Sequence, residues 1–199
     1  MIFLGLFIFV IFLIAYFRKK HTRKQDAVEA SFWERENEAN HARRKDISGL
    51  PYITIPLEIF PMDICDNPEL KSYEHTLTEL SGKRILNLQN QTNTDLKLQY
   101  GVSNLDALSE YDQNFATLCR VLADYAECLL QLDYSKHAQT VLEFGISCGS
   151  DHSKNYRLLA ELYHKHGNHD KLLFLKETAE ALNSPMKQSI LSHLSMLCN

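Results

Sequence analysis

Glycine and proline are scarce in this sequence of 199 residues, with seven Gly and five Pro, and tryptophan occurs once. So few turn-forming residues argue against a loop-rich all-β chain and against a collagen-like chain. The composition is 45% hydrophobic and 23% charged, which excludes global disorder. The cysteines are odd in number, lie far apart and contain no CxxC pair, so a disulfide framework is not expected. They are Cys65, Cys119, Cys128, Cys148 and Cys198.

Catalytic signatures are missing as well. The sequence contains no GxGxxG, GxSxG or HExxH motif. Ser81, Gly82 and Lys83 resemble the end of a phosphate-binding loop, but Leu77 stands where that loop needs its first glycine. We therefore expect neither an enzyme nor a bound cofactor.

Charge is distributed unevenly along the chain. Residues 1–17 carry no charged side chain, residues 18–46 carry nine Lys/Arg against six Asp/Glu, and residues 47–199 carry twelve against nineteen. As a helix, the first segment would cover about 26 Å, close to the ~30 Å hydrocarbon core of a bilayer. No charged region precedes it and no small-residue cleavage site follows, so we expect a transmembrane anchor rather than a signal peptide.

The charges that follow the apolar segment predict its orientation. Positive flanks stay in the cytoplasm, and the basic residues all follow the predicted span. We therefore expect a single-pass cell-membrane protein with its N-terminus outside and its C-terminal domain in the cytoplasm. The basic residues nearest the span are Arg18, Lys19, Lys20, Arg23 and Lys24.

Two connecting segments separate the anchor from the main domain. Residues 18–46 read as a charged juxtamembrane helix without Pro or Gly. Residues 47–66 contain Pro51, Pro56 and Pro61, whose spacing excludes a helix interior and predicts an extended strap. The alternating isoleucines of this strap would pack across the helical body, and a partner-binding segment is the alternative.

Residues 67–199 predict a helical domain. Asn67 and Pro68 form a helix start, and an apolar stripe steps by three and four from Leu108 to Leu132. Similar residues also recur 34 positions apart, because Ala126 corresponds to Ala160 and Gly145 to Ala179. The stripe would suit a coiled-coil dimer, but intramolecular packing is favoured because more apolar helices follow.

This recurrence resembles the tetratricopeptide (TPR) repeat. The second copy carries the pattern best, with Tyr156, Leu159-Ala160, Tyr163, Gly167 and Leu172. The resemblance implies an all-α chain whose body is a short antiparallel stack, or α-solenoid, after the transmembrane helix. Its repeats would cover 119–152 and 153–186, and a capping helix would cover 185–198.

A second resemblance covers the residues before the stack. The block FWERENEANHARRKDISGLPYITIPLEIFP, residues 32–61, is similar to a block of uncharacterised single-pass membrane proteins of bacteria. Those proteins also carry a helical C-terminal part. The resemblance implies the same architecture and brings no known activity.

TPR stacks bind extended peptides on the face lined by the first helix of each repeat, and that resemblance supplies the candidate residues. They would form a net basic face suited to an acidic peptide or a C-terminal carboxylate. We therefore expect an adaptor or scaffold module that holds another protein. The candidates are Arg120, Ala123, Glu127, Leu130, Lys154, Arg157, Glu161, His164 and Lys165.

Two other functions remain open. The protein could be a structural subunit of a membrane complex without its own peptide-binding face, and the sequence leaves its oligomeric state undetermined. Alternatively, His164, His166 and His169 beside Asp170 could bind Zn²⁺ or Ni²⁺ in a sensor or enzyme, although a solvated turn is the simpler interpretation. Nucleic-acid binding is not expected, because the body is acidic.

Overall fold

The computed structural model describes residues 26 and 28–198, which form helices and connecting segments without a β-strand. We number the helices α1 to α8, and a 3₁₀ turn, Val102–Asn104, precedes α4. The helices are α1 (28–40), α2 (Pro68–Ser81), α3 (Asn93–Tyr100), α4 (Leu105–Gln131), α5 (Ser135–Ser147), α6 (Ser153–Lys165), α7 (His169–Glu180) and α8 (Lys187–Leu197).

The predicted fold class is wrong where it includes a transmembrane helix. Among the helices described, none is both long and apolar enough to cross a membrane. Of the helices described, only α4, with 27 residues, reaches the about 20 residues that a span needs. It is excluded by six charged side chains: Asp106, Glu110, Asp112, Arg120, Asp124 and Glu127.

The predictions that depended on this helix are corrected with it. Single-pass localisation in the cell membrane, with a cytoplasmic C-terminal domain, is not supported. Segment 1–17 and the basic residues up to position 24, on which that prediction was based, lie outside the described residues.

The chain divides into two compact units, and the first contains residues 28–47 and 92–105. Here α1 is joined to α3, because Glu36 accepts hydrogen bonds from Lys97 and, at 2.7 Å, from the Thr94 hydroxyl. Arg35 pairs with Asp95 at 2.5 Å. Within the described part of the predicted charged helix 18–46, α1 ends at residue 40 rather than 46, and polar contacts hold it against α3.

A close backbone crossing completes the first unit. Gly101 has φ +89°, and a Cβ atom there would lie 2.6 Å from the Arg43 carbonyl oxygen. The buried Asn104 amide donates to the carbonyls of Lys45 (2.8 Å) and Tyr100 (2.7 Å). Both residues therefore fix the path of segment 41–47 beside the end of α3.

The second unit contains residues 48–91 and 106–198, and α6 lies at its centre. Helix α6 packs against α5, α7 and α8, and α7 also packs against α8. Small residues permit these close contacts, since Ala126, Ala138, Ala160 and Ala179 are all fully buried. The apolar stripe of α4 is mostly buried in the same core, so it packs within the chain.

Two helix turns in this unit have matching geometry. Asp133 and Gly167 both adopt a left-handed conformation, with φ +64° and +68°. The following amides donate back into the preceding helix, Tyr134 to the Leu129 carbonyl and Asn168 to the Tyr163 carbonyl, each at 2.8 Å. Corresponding residues of the two turns are 34 positions apart, and α5 and α7 begin at 135 and 169.

The proline-rich strap packs against the second unit. Ile55 and Phe60 are buried in its core, and the Ile53 amide donates to the Ile85 carbonyl at 2.9 Å. Further along the strap, the Pro61 carbonyl accepts a 2.9 Å hydrogen bond from the Tyr125 hydroxyl. That hydroxyl also lies 3.3 Å from Glu74 Oε1, so one buried tyrosine connects α4, α2 and the strap.

We expect Tyr125→Phe to lower the free energy of unfolding by about 1–3 kcal/mol, because the buried Pro61 carbonyl and Glu74 lose their shared donor. Chemical denaturation of the full-length protein measures this change. The control Tyr73→Phe removes a hydroxyl that donates to the exposed Glu69 carboxylate, and it should cost less than about 0.5 kcal/mol. Equal losses for the two variants would contradict the buried contact.

Candidate interaction face

The candidate residues predicted from the sequence lie on two neighbouring helices. Arg120 and Glu127 belong to α4, and Lys154, Arg157, Glu161, His164 and Lys165 belong to α6. Ala123 is fully buried and is therefore no part of an accessible face. His164 and Lys165 are exposed at the C-terminal end of α6.

Ion pairs connect these residues between α4 and α6, and one further contact reaches α8. Lys154 lies 2.6 Å from Asp124 and 2.5 Å from Glu127 on α4. Arg157 is 3.9 Å from Glu127 and 3.5 Å from Glu161, and Glu161 in turn is 3.8 Å from His193 Nε2 on α8. We call these side chains, together with Arg120 one turn before Asp124, the charged face: Arg120, Asp124, Glu127, Lys154, Arg157, Glu161 and His193.

Lys154 is committed to internal contacts. Its side chain is 23% exposed. Burial lowers the pKa of its ammonium group, but the hydrogen bonds to Asp124 and Glu127 raise it more, so its pKa lies above the ordinary value. Lys154 therefore stays protonated at neutral pH and joins α6 to α4, and its charge is already neutralised by two carboxylates.

Asp124 is the residue of the charged face that the sequence analysis missed. It lies one turn from both Arg120 and Glu127 on α4, a spacing that could have placed it on the same face. The sequence predicted a face with two more cations than carboxylates. Asp124 reduces this excess to one, with Arg120, Lys154, Arg157 and Lys165 as the cations and Asp124, Glu127 and Glu161 as the carboxylates.

Three cations remain accessible. Arg157 has a side chain that is 44% exposed and is held only by the two longer ion pairs. Arg120 and Lys165 are exposed and make no ion pair with any residue in the described part of the chain. A cavity of about 370 Å³ lies beside Arg157, between α6 and α8, and it is lined by Ser153, Lys154, Tyr156, Ser189, Ile190 and His193.

A second concave surface lies between α5 and α7, which we call the α5–α7 groove. It measures about 510 Å³ and has an apolar floor and walls that include Ile146, Leu159, Phe174 and Leu175. One polar cluster, which includes Glu143, Tyr163 and Lys171, also lines the groove. There Glu143 Oε1 accepts hydrogen bonds from Gln139 (2.8 Å), Tyr163 (2.8 Å) and Lys171 (2.9 Å).

The remaining chemical candidates show no reactive arrangement. His164, His166 and His169 are exposed, and across residues 26 and 28–198 no group of three His, Cys, Asp or Glu is placed to hold a metal ion. Burial raises the pKa of the Cys119 thiol to about 12 and that of Cys148 to about 11. These two thiols are therefore protonated at neutral pH and are poor nucleophiles.

The described residues form helices and no β-strand, and the second unit carries a charged face and an apolar groove. No protein-family model, no curated protein and no solved structure matches this chain. Its function must therefore be inferred from the chemistry of the two surfaces.

The Glu143 cluster predicts an acid-dependent loss of stability. Burial raises the pKa of Glu143, but hydrogen bonds from Lys171, Gln139 and Tyr163 outweigh burial and hold it below the ordinary 4.5. Because the pKa of Glu143 is lower in the folded state than in the unfolded state, its ionised carboxylate stabilises the fold above pH 4.5. This stability is lost as the pH falls through the folded-state pKa. The free energy of unfolding of the wild type should therefore fall more steeply than that of Glu143→Gln between about pH 5 and pH 3.

Denaturation at each pH measures the two slopes. The control Glu177→Gln removes an exposed carboxylate from α7 that makes no ion pair within the described part of the chain, and it should keep the wild-type slope. If the free energy of unfolding fell with the same slope in Glu143→Gln and in the wild type, the Glu143 cluster would not cause the acid-dependent loss of stability.

Proposed function

We propose that this protein is a protein-interaction module, an adaptor or scaffold, that holds an acidic segment of a partner on the charged face of its helical stack. The observation that carries the proposal is the arrangement around Arg157. This exposed guanidinium lies at the edge of a cavity, its carboxylate neighbours are 3.5 and 3.9 Å away, and Lys154 beside it is fully neutralised.

The TPR-like character of the stack is part of the same proposal. It is supported by the matching turns at Asp133 and Gly167 and by helix starts that recur 34 residues apart, at 135 and 169 and again at 153 and 187. On that resemblance, α6 and α8 would be the first helices of successive repeats. The charged face would then correspond to the surface on which such stacks hold extended peptides.

The geometry indicates how an acidic segment would bind. A carboxylate of the partner can form two parallel hydrogen bonds with the Arg157 guanidinium. The ion pairs that Arg157 makes with Glu127 and Glu161 are too long for this geometry. Exposed Glu161 is free to move away, because in the part of the chain that the structure describes its carboxylate contacts only Arg157 and His193. Arg120 and Lys165 would attract further acidic side chains on either side, and Lys154 would keep the two helices in position.

The surrounding charge would restrict the choice of partner. Residues 47–199 have seven more acidic than basic residues, so an extended acidic surface would be repelled from most of this domain. A short acidic segment avoids that repulsion, because it needs to contact only the charged face. Binding should therefore favour a flexible segment with few carboxylates over a large acidic protein surface.

We expect Arg157→Glu to weaken binding of a short acidic peptide by at least about tenfold, because the guanidinium becomes a repelling carboxylate. The probe is a fluorescent peptide with alternating Glu and Leu residues, titrated into the full-length protein and followed by anisotropy. The same peptide with Gln in place of Glu should bind weakly to the wild type.

Lys176→Glu on α7 provides the matched control, since it reverses one charge outside the charged face and should leave the affinity unchanged. Added salt should weaken binding of the Glu peptide. An affinity that is the same for the Glu and Gln peptides, or that survives Arg157→Glu, would exclude the charged face as the binding site.

A further inference from the structure

We propose that the α5–α7 groove is an interface between two copies of this chain, in which Phe174 of each copy occupies the groove of the other. This interface is independent of the proposed peptide-binding function, because it uses α5, α7 and the opposite side of α6. Its failure would leave the charged face unaffected.

The first observation is that two large apolar side chains of α7 are exposed. Phe174 is 69% exposed and its neighbour Leu173 is 52% exposed, although both are large apolar side chains on the short helix α7. Phe174 lines a groove of about 510 Å³ whose walls are mostly apolar. An apolar depression with protruding apolar side chains beside it is typical of a surface that is covered in the functional state.

The second step is self-complementarity, which favours a second copy over an unrelated partner. A two-fold interface uses the same patch on both copies, so the patch must contain both the protruding group and the depression that receives it. The α5–α7 groove meets this requirement, since Phe174 lines its wall and also projects from it.

The third step is charge. The polar cluster of the groove contains Glu143 and Lys171, one acidic and one basic side chain, so the patch is neutral although the whole chain has a net charge of −4. Glu143 uses only Oε1 for its three hydrogen bonds within the described residues, which leaves Oε2 to accept another. The Lys171 side chain is 53% exposed and could donate to it from the second copy.

These contacts imply a specific pairing. In the proposed pairing a two-fold axis sets Glu143 of one copy opposite Lys171 of the other, and the same contact forms twice. The patch is small, so we expect dissociation constants in the micromolar range rather than the nanomolar range.

Light scattering after size-exclusion chromatography tests the pairing in full-length protein. A mild detergent should be used throughout, because residues 1–17 carry no charged side chain. The wild type should be dimeric at about 100 μM, and Phe174→Asp should weaken dimerisation about a hundredfold. Met196→Asp is the matched control, because Met196 on α8 is 70% exposed and lies outside the groove.

Mixing two charge variants separates an intermolecular contact from the ion pair within each copy. Alone, Lys171→Glu would place two carboxylates opposite each other, and Glu143→Lys would place two ammonium groups opposite each other. Each variant alone should dimerise roughly tenfold more weakly than the wild type. An equimolar mixture should recover wild-type dimerisation, because both contacts then join unlike charges.

A wild type that stays monomeric at about 100 μM would overturn the proposal. So would a dimer that tolerates Phe174→Asp as well as Met196→Asp, or a mixture of the charge variants that remains as weak as its components. If the groove binds a helix of a different protein instead, the wild type will be monomeric, and that outcome also rejects self-association.

Discussion

The buried hydroxyl of Tyr125 is the contact on which the arrangement of the second unit depends. It donates to the Pro61 carbonyl and lies beside Glu74 Oε1, which also accepts a 3.1 Å hydrogen bond from the Asp63 amide. Tyrosine has a single hydroxyl proton, so two acceptors compete for it at this point. Leaving these polar atoms unpaired inside the protein would be costly, so the three contacts favour the arrangement in which the strap, α2 and α4 pack together.

The packing around α6 then determines which surfaces stay available. Gly145 lets α5 approach α6 closely, since a Cβ there would lie 3.2 Å from the Asn155 amide nitrogen. Buried Asn155 uses that amide to contact the Cys119 carbonyl and the Ser150 hydroxyl, so it joins α6 to α4 and to the preceding turn. With its core positions occupied in this way, α6 contributes Lys154 and Arg157 to the charged face and Leu159 and Tyr163 to the groove.

Local signals predicted much of the helical architecture. The Asn67-Pro68 start of α2 is confirmed, because the Asn67 side chain accepts from the amides of Glu69 and Leu70. Features that depend on distant contacts could not be predicted in the same way. In the sequence, nothing distinguishes Glu74 from an exposed glutamate on a helix. Its burial is explained by its contact with segment 61–63, where the Asp63 amide donates to its carboxylate. Phe174 lies in an apolar run that reads as core, and the pairing of Lys154 with Asp124 depends on how α4 and α6 are aligned.

The proline-rich strap is part of the core of the second unit, because Ile55 and Phe60 are buried in it. Native-state hydrogen exchange of the full-length protein tests this packing most directly, at the Ile53 amide bonded to Ile85 and the Asp63 amide bonded to Glu74. If the strap is part of the core, both amides should exchange only through the global opening that exposes the buried amides of α4. Exchange at the rate of an unprotected peptide, while α4 stays protected, would contradict the claim.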